Sequence, residues 1–175
     1  MIMQKPDDIT KAAIWNILDT VVDPEIPVLS VVDMGIIRDI QLMPGEGHDT
    51  PGVEVSITPT YTGCPAMDVI STGIRLALIE HGFTRNTIKT ILAPAWTTDW
   101  MTESGKQKLK AYGIAPPQTK SGAPSLNEKD SEVKVQCPQC NSYNTKRISQ
   151  FGSTACKSLY QCEDCKEPFD YFKCH

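Results

Sequence analysis

Two pairs of cysteines constrain this chain more than any other feature. Cys137-Pro-Gln-Cys140 is followed, after 21 residues, by Cys162-Glu-Asp-Cys165. In a C-x-x-C turn the two thiolates point at one centre while backbone N–H groups offset their charge. Two such turns make a closed tetrahedron of four sulfurs. That arrangement leaves no open coordination position, so a metal held there builds a fold rather than running a reaction. The chain has seven cysteines in 175 residues, an odd number. In a reducing compartment, C-x-x-C pairs bind metal or do redox chemistry more often than they form structural disulfides. A pair of disulfides is the competing reading.

The spacing matches zinc ribbons. Residues 146–150, 158–161 and 168–173 can supply three short strands around the two turns. A module of roughly 40 residues buries too little apolar surface to fold alone, so the metal must supply folding free energy, on the order of 10 kcal/mol. One structural zinc ion is expected, although iron would use the same four ligands. Cys156 and Cys174 lie inside this module but outside the turns. They can be core residues, alternative zinc ligands or thiols presented to a cluster.

Upstream, residues 7–20 read as a helix capped by Asp7 or Asp8, with Ile9, Ala12, Ala13, Trp15 or Leu18 as its apolar face. The two prolines of DPEIPV then force a rigid extended turn. Alternation predicts strands over 36–43 and 53–59, the second half-buried with Val53, Val55 and Ile57 inward. Ala66, Val69, Ile70, Ile74, Ala77 and Leu78 give a helix over 66–81, closed by Gly82, with His81 in a capping role. A strand over 87–93 and a helix over 102–112 complete the set. The fold expected is α+β: a small three-stranded sheet with helices packed on one face, followed by the ribbon of short antiparallel strands. Residues 115–131 are rich in Pro, Gly, Ser and charge, which divides the chain into a domain at 1–114, a linker at 115–131 and a ribbon at 132–175.

The balance of charge narrows the function classes. The formal net charge is −4, and residues 1–112 carry 9 Lys/Arg against 14 Asp/Glu while residues 113–175 carry 8 against 7. Neither half has the basic excess of a nucleic-acid binder. The first residues, MIMQKPDDITKAAIW, lack the apolar core of a signal peptide, and no apolar run approaches the roughly 20 residues that span a bilayer. A cytoplasmic protein is expected, with neither membrane nor nucleic acid as partner.

Cys64 stands between Gly63 and Pro65 at the start of the second helix. A helix N-terminus favours a thiolate, which suits a reactive thiol or a metal or iron–sulfur ligand. A buried small hydrophobe is the alternative. Asp23 and Glu25 flank Pro24 in an acidic turn; such turns are usually solvated, although a rigid one can also pin a helix or hold a metal. No histidine partners Cys64 convincingly: His48 is in a loop, His81 ends a helix and His175 is the last residue. A thiol enzyme using Cys64 as nucleophile is therefore the least favoured reading. Tyr61, Trp96, Trp100 and Tyr112 gather around loops, where core packing accounts for them before any ligand does.

The strings DPEIPVLSVVDMGIIRDI, TPTYTGCPAMD, PAWTTDWM and CPQC…FGSTACKSLYQCEDCKEPFDYFKC together resemble the PaaD family of phenylacetate degradation, over nearly all of residues 12–174. The N-terminal part alone is similar to the wider SufT-like family of iron–sulfur assembly proteins. The resemblance implies an accessory factor, not itself an enzyme, encoded with phenylacetyl-CoA 1,2-epoxidase and assisting assembly or delivery of its iron centres. The partners it implies are a di-iron oxygenase and a reductase carrying a [2Fe–2S] cluster. By position, the family's acidic motif falls on Asp23, Pro24 and Glu25, its reactive cysteine on Cys64, and its ribbon ligands on Cys137, Cys140, Cys162 and Cys165. Cys64 would hold a transient iron–sulfur cluster, and a homodimer whose second Cys64 completes the ligands is one arrangement this allows. The alternative is a non-catalytic interaction subunit of the epoxidase complex without metal transfer.

Overall fold

The computed structural model describes residues 11–45, 51–118 and 134–173. The chain divides into two compact units, Met1–Gly105 and Lys106–His175.

In the first unit, α1 (Lys11–Leu18) leads to a three-stranded sheet of β1 (Ile37–Met43), β2 (Gly52–Ile57) and β3 (Asn86–Thr90) in the order β1-β2-β3. β1 and β2 are antiparallel, and β2 and β3 are parallel, with α2 (Ala66–Glu80) as the connection between them. A parallel pair needs such a crossover because the chain must return to the same end of the sheet. The helices α1 and α2 pack on each other and on the sheet, so the expected α+β class holds.

Three details differ from the sequence expectation. β2 is the central strand, so it is buried on both faces: Val53, Val55 and Ile57 are sealed, and Ser56 is buried too. On α1 the core side is Ile14, Ile17 and Leu18, continued by Val21, while Ala12 and Trp15 face out. That i, i+3, i+4, i+7 stripe carries larger side chains than the one expected, and so wins the buried side. The expected caps Asp7 and Asp8, with Ile9, lie outside the described residues. On α2, Ala66, Ile70, Ile74, Ala77 and Leu78 are buried as expected but Val69 is 58% exposed. His81 does cap this helix, its Nδ1 lying 2.8 Å from the Ala77 carbonyl oxygen.

The loops of this unit are tied by buried polar groups. Asp33 Oδ1 accepts from Thr102 Oγ1 at 2.9 Å, and the Asp33 carbonyl accepts from Thr102 N at 2.9 Å. Thr102 Oγ1 in turn accepts from Gly105 N at 2.9 Å, capping α3 (Glu103–Tyr112). Trp96 is buried and donates from Nε1 to the Met34 carbonyl at 3.0 Å, while Arg38 lies 3.5 Å over the Trp100 ring. These two tryptophans therefore pack within the fold, whereas Tyr112 is exposed.

In the second unit, β4 (Thr145–Ser149), β5 (Lys157–Cys162) and β6 (Pro168–Phe172) form an antiparallel sheet in that order. All three expected ribbon strands are present. Ala115 adds a bridge alongside Tyr171 of β6, with Ala115 N donating to the Asp170 carbonyl at 2.8 Å and Phe172 N to the Ala115 carbonyl at 3.0 Å. Residues 119–131 of the expected linker lie outside the described residues. Among the described residues, no helix is long and apolar enough to cross a membrane.

Candidate functional site

The two C-x-x-C turns converge. The sulfurs of Cys137, Cys140, Cys162 and Cys165 all lie within 4.8 Å of one another. Cys137 and Cys165 are 3.8 Å apart at Sγ, and Cys140 and Cys162 are 3.5 Å apart. Metal–sulfur bonds of about 2.3 Å in a tetrahedron give sulfur–sulfur edges of about 3.8 Å. A disulfide needs about 2.05 Å, so the geometry fits a four-coordinate thiophilic ion and not two disulfides.

The local backbone explains the convergence. Each turn is followed by a residue in the left-handed region, Asn141 at φ 62° and Lys166 at φ 66°. That kink carries the chain back across the turn, so that Cys137 N donates to the Ser142 carbonyl at 2.8 Å and Cys162 N to the Glu167 carbonyl at 3.0 Å. Asp164, in the second turn, reaches back to the first. It accepts from Ser142 Oγ and, at 2.7 Å, from Asn144 Nδ2. The Ser142 hydroxyl, followed by the Asn144 amide, holds the Asp164 carboxyl below its ordinary range. This latch was invisible in the sequence, where its members stand 20 and 22 residues apart.

The thiols differ in acidity because backbone and neighbours differ. The N–H of Cys165 brings Cys162 down to about 7, assisted by that of Asp164 and opposed by burial. For Cys165 the Glu167 N–H favours the thiolate, but burial and the Cys162 and Cys140 thiols outweigh it and push the group up to about 12. For Cys140 the Ser142 backbone favours the thiolate, and Cys162 and burial reverse the sign, raising it. A cation at the centre would resolve this competition by deprotonating all four.

Left-handed backbone costs a side-chain-bearing residue roughly 1 kcal/mol relative to glycine. Lys166→Gly should therefore strengthen metal retention by a few-fold in a chelator competition. A weaker hold than wild type would show that the Lys166 contacts, including its exposed pairing with Glu163 at 3.6 Å, matter more than the backbone.

Of the remaining thiols, Cys156 is buried, with Thr154 Oγ1 at 3.1 Å from its sulfur, and Cys174 lies outside the described residues. Cys64 is half-buried and free, just ahead of α2. Its carbonyl accepts from Met67 N at 3.2 Å and its own N–H donates to the Tyr61 carbonyl at 3.3 Å. The acidic turn is built differently from a ready ligand. Asp23 is buried, and its Oδ1 accepts from the N–H groups of Glu25 and Ile26, both at 2.8 Å. That oxygen holds the turn. Among the described residues, the ribbon quartet is the only group of three or more His, Cys, Asp or Glu with converging ligand atoms. Cys64, Asp23 and Glu25 do not form a second such set.

These features define a class: an α+β domain presenting one accessible thiol ahead of a helix, joined to a four-cysteine ribbon. Comparison with known proteins agrees on both parts. Residues 11–81 match the model of an iron–sulfur cluster assembly protein family, and residues 121–173 match the PaaD zinc beta ribbon domain. An Escherichia coli (strain K12) protein, provisionally named as one of the subunits of 1,2-phenylacetyl-CoA epoxidase, is 47% identical over 161 residues, covering 92% of this chain and 91% of the relative. The chain belongs to the PaaD family. A Porphyromonas gingivalis (strain ATCC BAA-308 / W83) protein named Fe-S protein maturation auxiliary factor is 35% identical over 101 residues, 57% of this chain and 90% of that one. Among solved structures, a Bacillus anthracis domain of unknown function, DUF59, aligns with a TM-score of 0.49 and 20% identity, covering 57% of this chain and 90% of its own.

Proposed function

We propose that this protein is an accessory factor for maturation of phenylacetyl-CoA 1,2-epoxidase, holding iron or an iron–sulfur cluster transiently at Cys64 for delivery to the oxygenase or reductase. One zinc ion in the ribbon, on Cys137, Cys140, Cys162 and Cys165, plays a structural part. The observation that carries the reading is the state of Cys64. It is a free, half-buried thiol ahead of α2, in the segment that matches the iron–sulfur assembly family. A carrier must protect its cargo yet release it by ligand exchange. One accessible thiolate, completed by ligands from a partner, suits that task better than a closed quartet. The relation to an epoxidase component over both parts of the chain supplies the recipient.

Anaerobic reconstitution with iron and sulfide tests the carrier. Wild type should gain a visible charge-transfer spectrum, and Cys64→Ala should lose most of it while keeping its zinc. Equal, empty spectra would remove cluster carriage from Cys64. Metal and sulfide content of the epoxidase components, made with and without this protein, tests delivery. Equal content, with activity lost only when the protein is absent from the assay, would favour an interaction subunit.

A further inference from the structure

We propose that the ribbon face formed by Arg147, Ile148, Phe151 and Lys173 is a docking surface for an acidic, apolar-tipped segment of a partner polypeptide. The proposal rests on the reading above, that this chain serves other proteins, and adds where and by what chemistry it meets them.

The face combines three features that a solvated surface does not need. Ile148 and Phe151 are large apolar side chains left 52% and 56% exposed. The Lys173 ammonium is folded back over the Phe151 ring, 4.4 Å from its centroid, and donates to the Gln150 carbonyl. Arg147 lies close enough to Lys173 to disfavour its charge, in addition to the effect of burial. Among the described residues no carboxylate pairs with either cation, whereas the neighbouring Lys146 is neutralised by Glu163 at 2.5 Å. An ammonium held over an exposed ring, with a second cation near it, is a place where an anion is stabilised. A carboxylate arriving beside them relieves the repulsion, and the exposed Phe151 ring, with Ile148 next to Arg147 in the chain, offers the apolar contact that interface hot spots require.

Charge selects the occupant. Residues 106–175 carry 11 Lys/Arg against 7 Asp/Glu, a net of +4, whereas residues 1–105 carry 6 against 14, a net of −8. The chain's overall acidic balance disfavours a long polyanion such as a nucleic acid, whereas a short acidic segment of a protein needs only a local basic face. Strand addition is the other way a ribbon edge recruits a peptide. Here the β4 register shifts between Arg147 and Ser149, so Ile148 is an extra residue that bends the edge away from regular pairing. Recognition is then by side chains.

The test is binding of the full-length, zinc-loaded protein to each purified epoxidase component, read by calorimetry or interferometry across a salt series. The double variant R147E/K173E should lose about 100-fold in affinity for one component. Phe151→Ala should lose about tenfold. Both should keep wild-type zinc content, and both should still take up a cluster at Cys64. Wild-type affinity in the double variant would overturn the proposal, as would wild type binding no component. Binding of a 20-base-pair duplex as tight as that of any component would overturn it in favour of a nucleic-acid surface. Failure of the delivery reading looks different: epoxidase metal content independent of this protein, with docking intact.

Discussion

Removing the metal should unfold the ribbon while the first unit keeps its sheet. The core of the ribbon cluster is Ala115, Val135, Tyr160 and Phe169 together with Cys137 and Cys162, both wholly buried, and Cys165 and Tyr171 pack against it. Tyr160 stacks on Phe169 at 5.9 Å and meets Tyr171 edge-on at 5.7 Å. With Phe172 and Cys156 also buried, the ribbon's apolar interior is still small, and the metal ligands are part of it. Structural zinc contributes about 10–16 kcal/mol at neutral pH, comparable with the whole stability of a typical domain. Chelation under reducing conditions should collapse the amide dispersion of residues 134–173 in a heteronuclear NMR spectrum and leave the first-unit signals in place. Cys162→Ser should do much the same. Retained ribbon dispersion after complete removal of metal would mean that the packing suffices alone.

Acid should have the same effect as the chelator, and the sign follows from the thiols. Metal-bound thiolates have folded pKa values far below the roughly 8.5 of a free cysteine. Their contribution is fully present above that unfolded value and is lost as pH falls through the folded one. In the metal-free, unfolded ribbon all four thiols lie near that free value and are mostly protonated at pH 7, and the folded geometry raises Cys140 and Cys165 further. Metal uptake at pH 7 should therefore release at least two protons, Cys140 and Cys165 among their sources, measurable in a weakly buffered titration. Release of none would mean that the ligands are not thiolates.

What could be read in the sequence was what is local. The two cysteine turns are four-residue motifs whose geometry depends on little beyond themselves; they placed the three ribbon strands, and alternation located β1 and β2, each to within a few residues. What could not be read was held by distant partners. Asp33 and Thr102 are 69 positions apart, and Trp96 and Met34 are 62 apart; neither pair has any periodicity to betray it. Asp23 could be read as a metal ligand or a turn former, and only its two backbone contacts show that one oxygen serves the turn. The buried side of α1 is ambiguous in sequence because small residues at Ala12 and Ala13 are as compatible with the outside of a helix as with its core. Val69 escapes burial because α2 carries apolar residues around more of its circumference than one sheet can cover, leaving Leu76 and Ile79 exposed as well.

Gly35→Ala should be the most damaging single substitution in the first unit outside its apolar core. Gly35 has φ +64°, and a Cβ there would sit 2.1 Å from the Trp100 carbonyl oxygen and 2.6 Å from its carbon. The neighbour is backbone, so no rotamer relieves the overlap. Nor can the two segments part easily. Asp33 holds Thr102 by two hydrogen bonds of 2.9 Å, and Trp96 holds the Met34 carbonyl. These contacts flank the clash on both sides, so relief means breaking at least one buried polar contact. Left-handed strain of about 1–2 kcal/mol and that loss together put the cost at about 3–5 kcal/mol. Gly82→Ala separates the two causes, because Gly82 has φ +92° but a Cβ there meets nothing within 4 Å. It should cost only the backbone strain. Urea denaturation followed by tryptophan fluorescence reports the first unit directly, since Trp15, Trp96 and Trp100 all lie within it. Gly35→Ala should lower the midpoint at least twice as far as Gly82→Ala, with zinc retained in both. Equal shifts would show that the Trp100 turn yields freely, and that the ties from Asp33 and Trp96 are not what fixes this end of the domain.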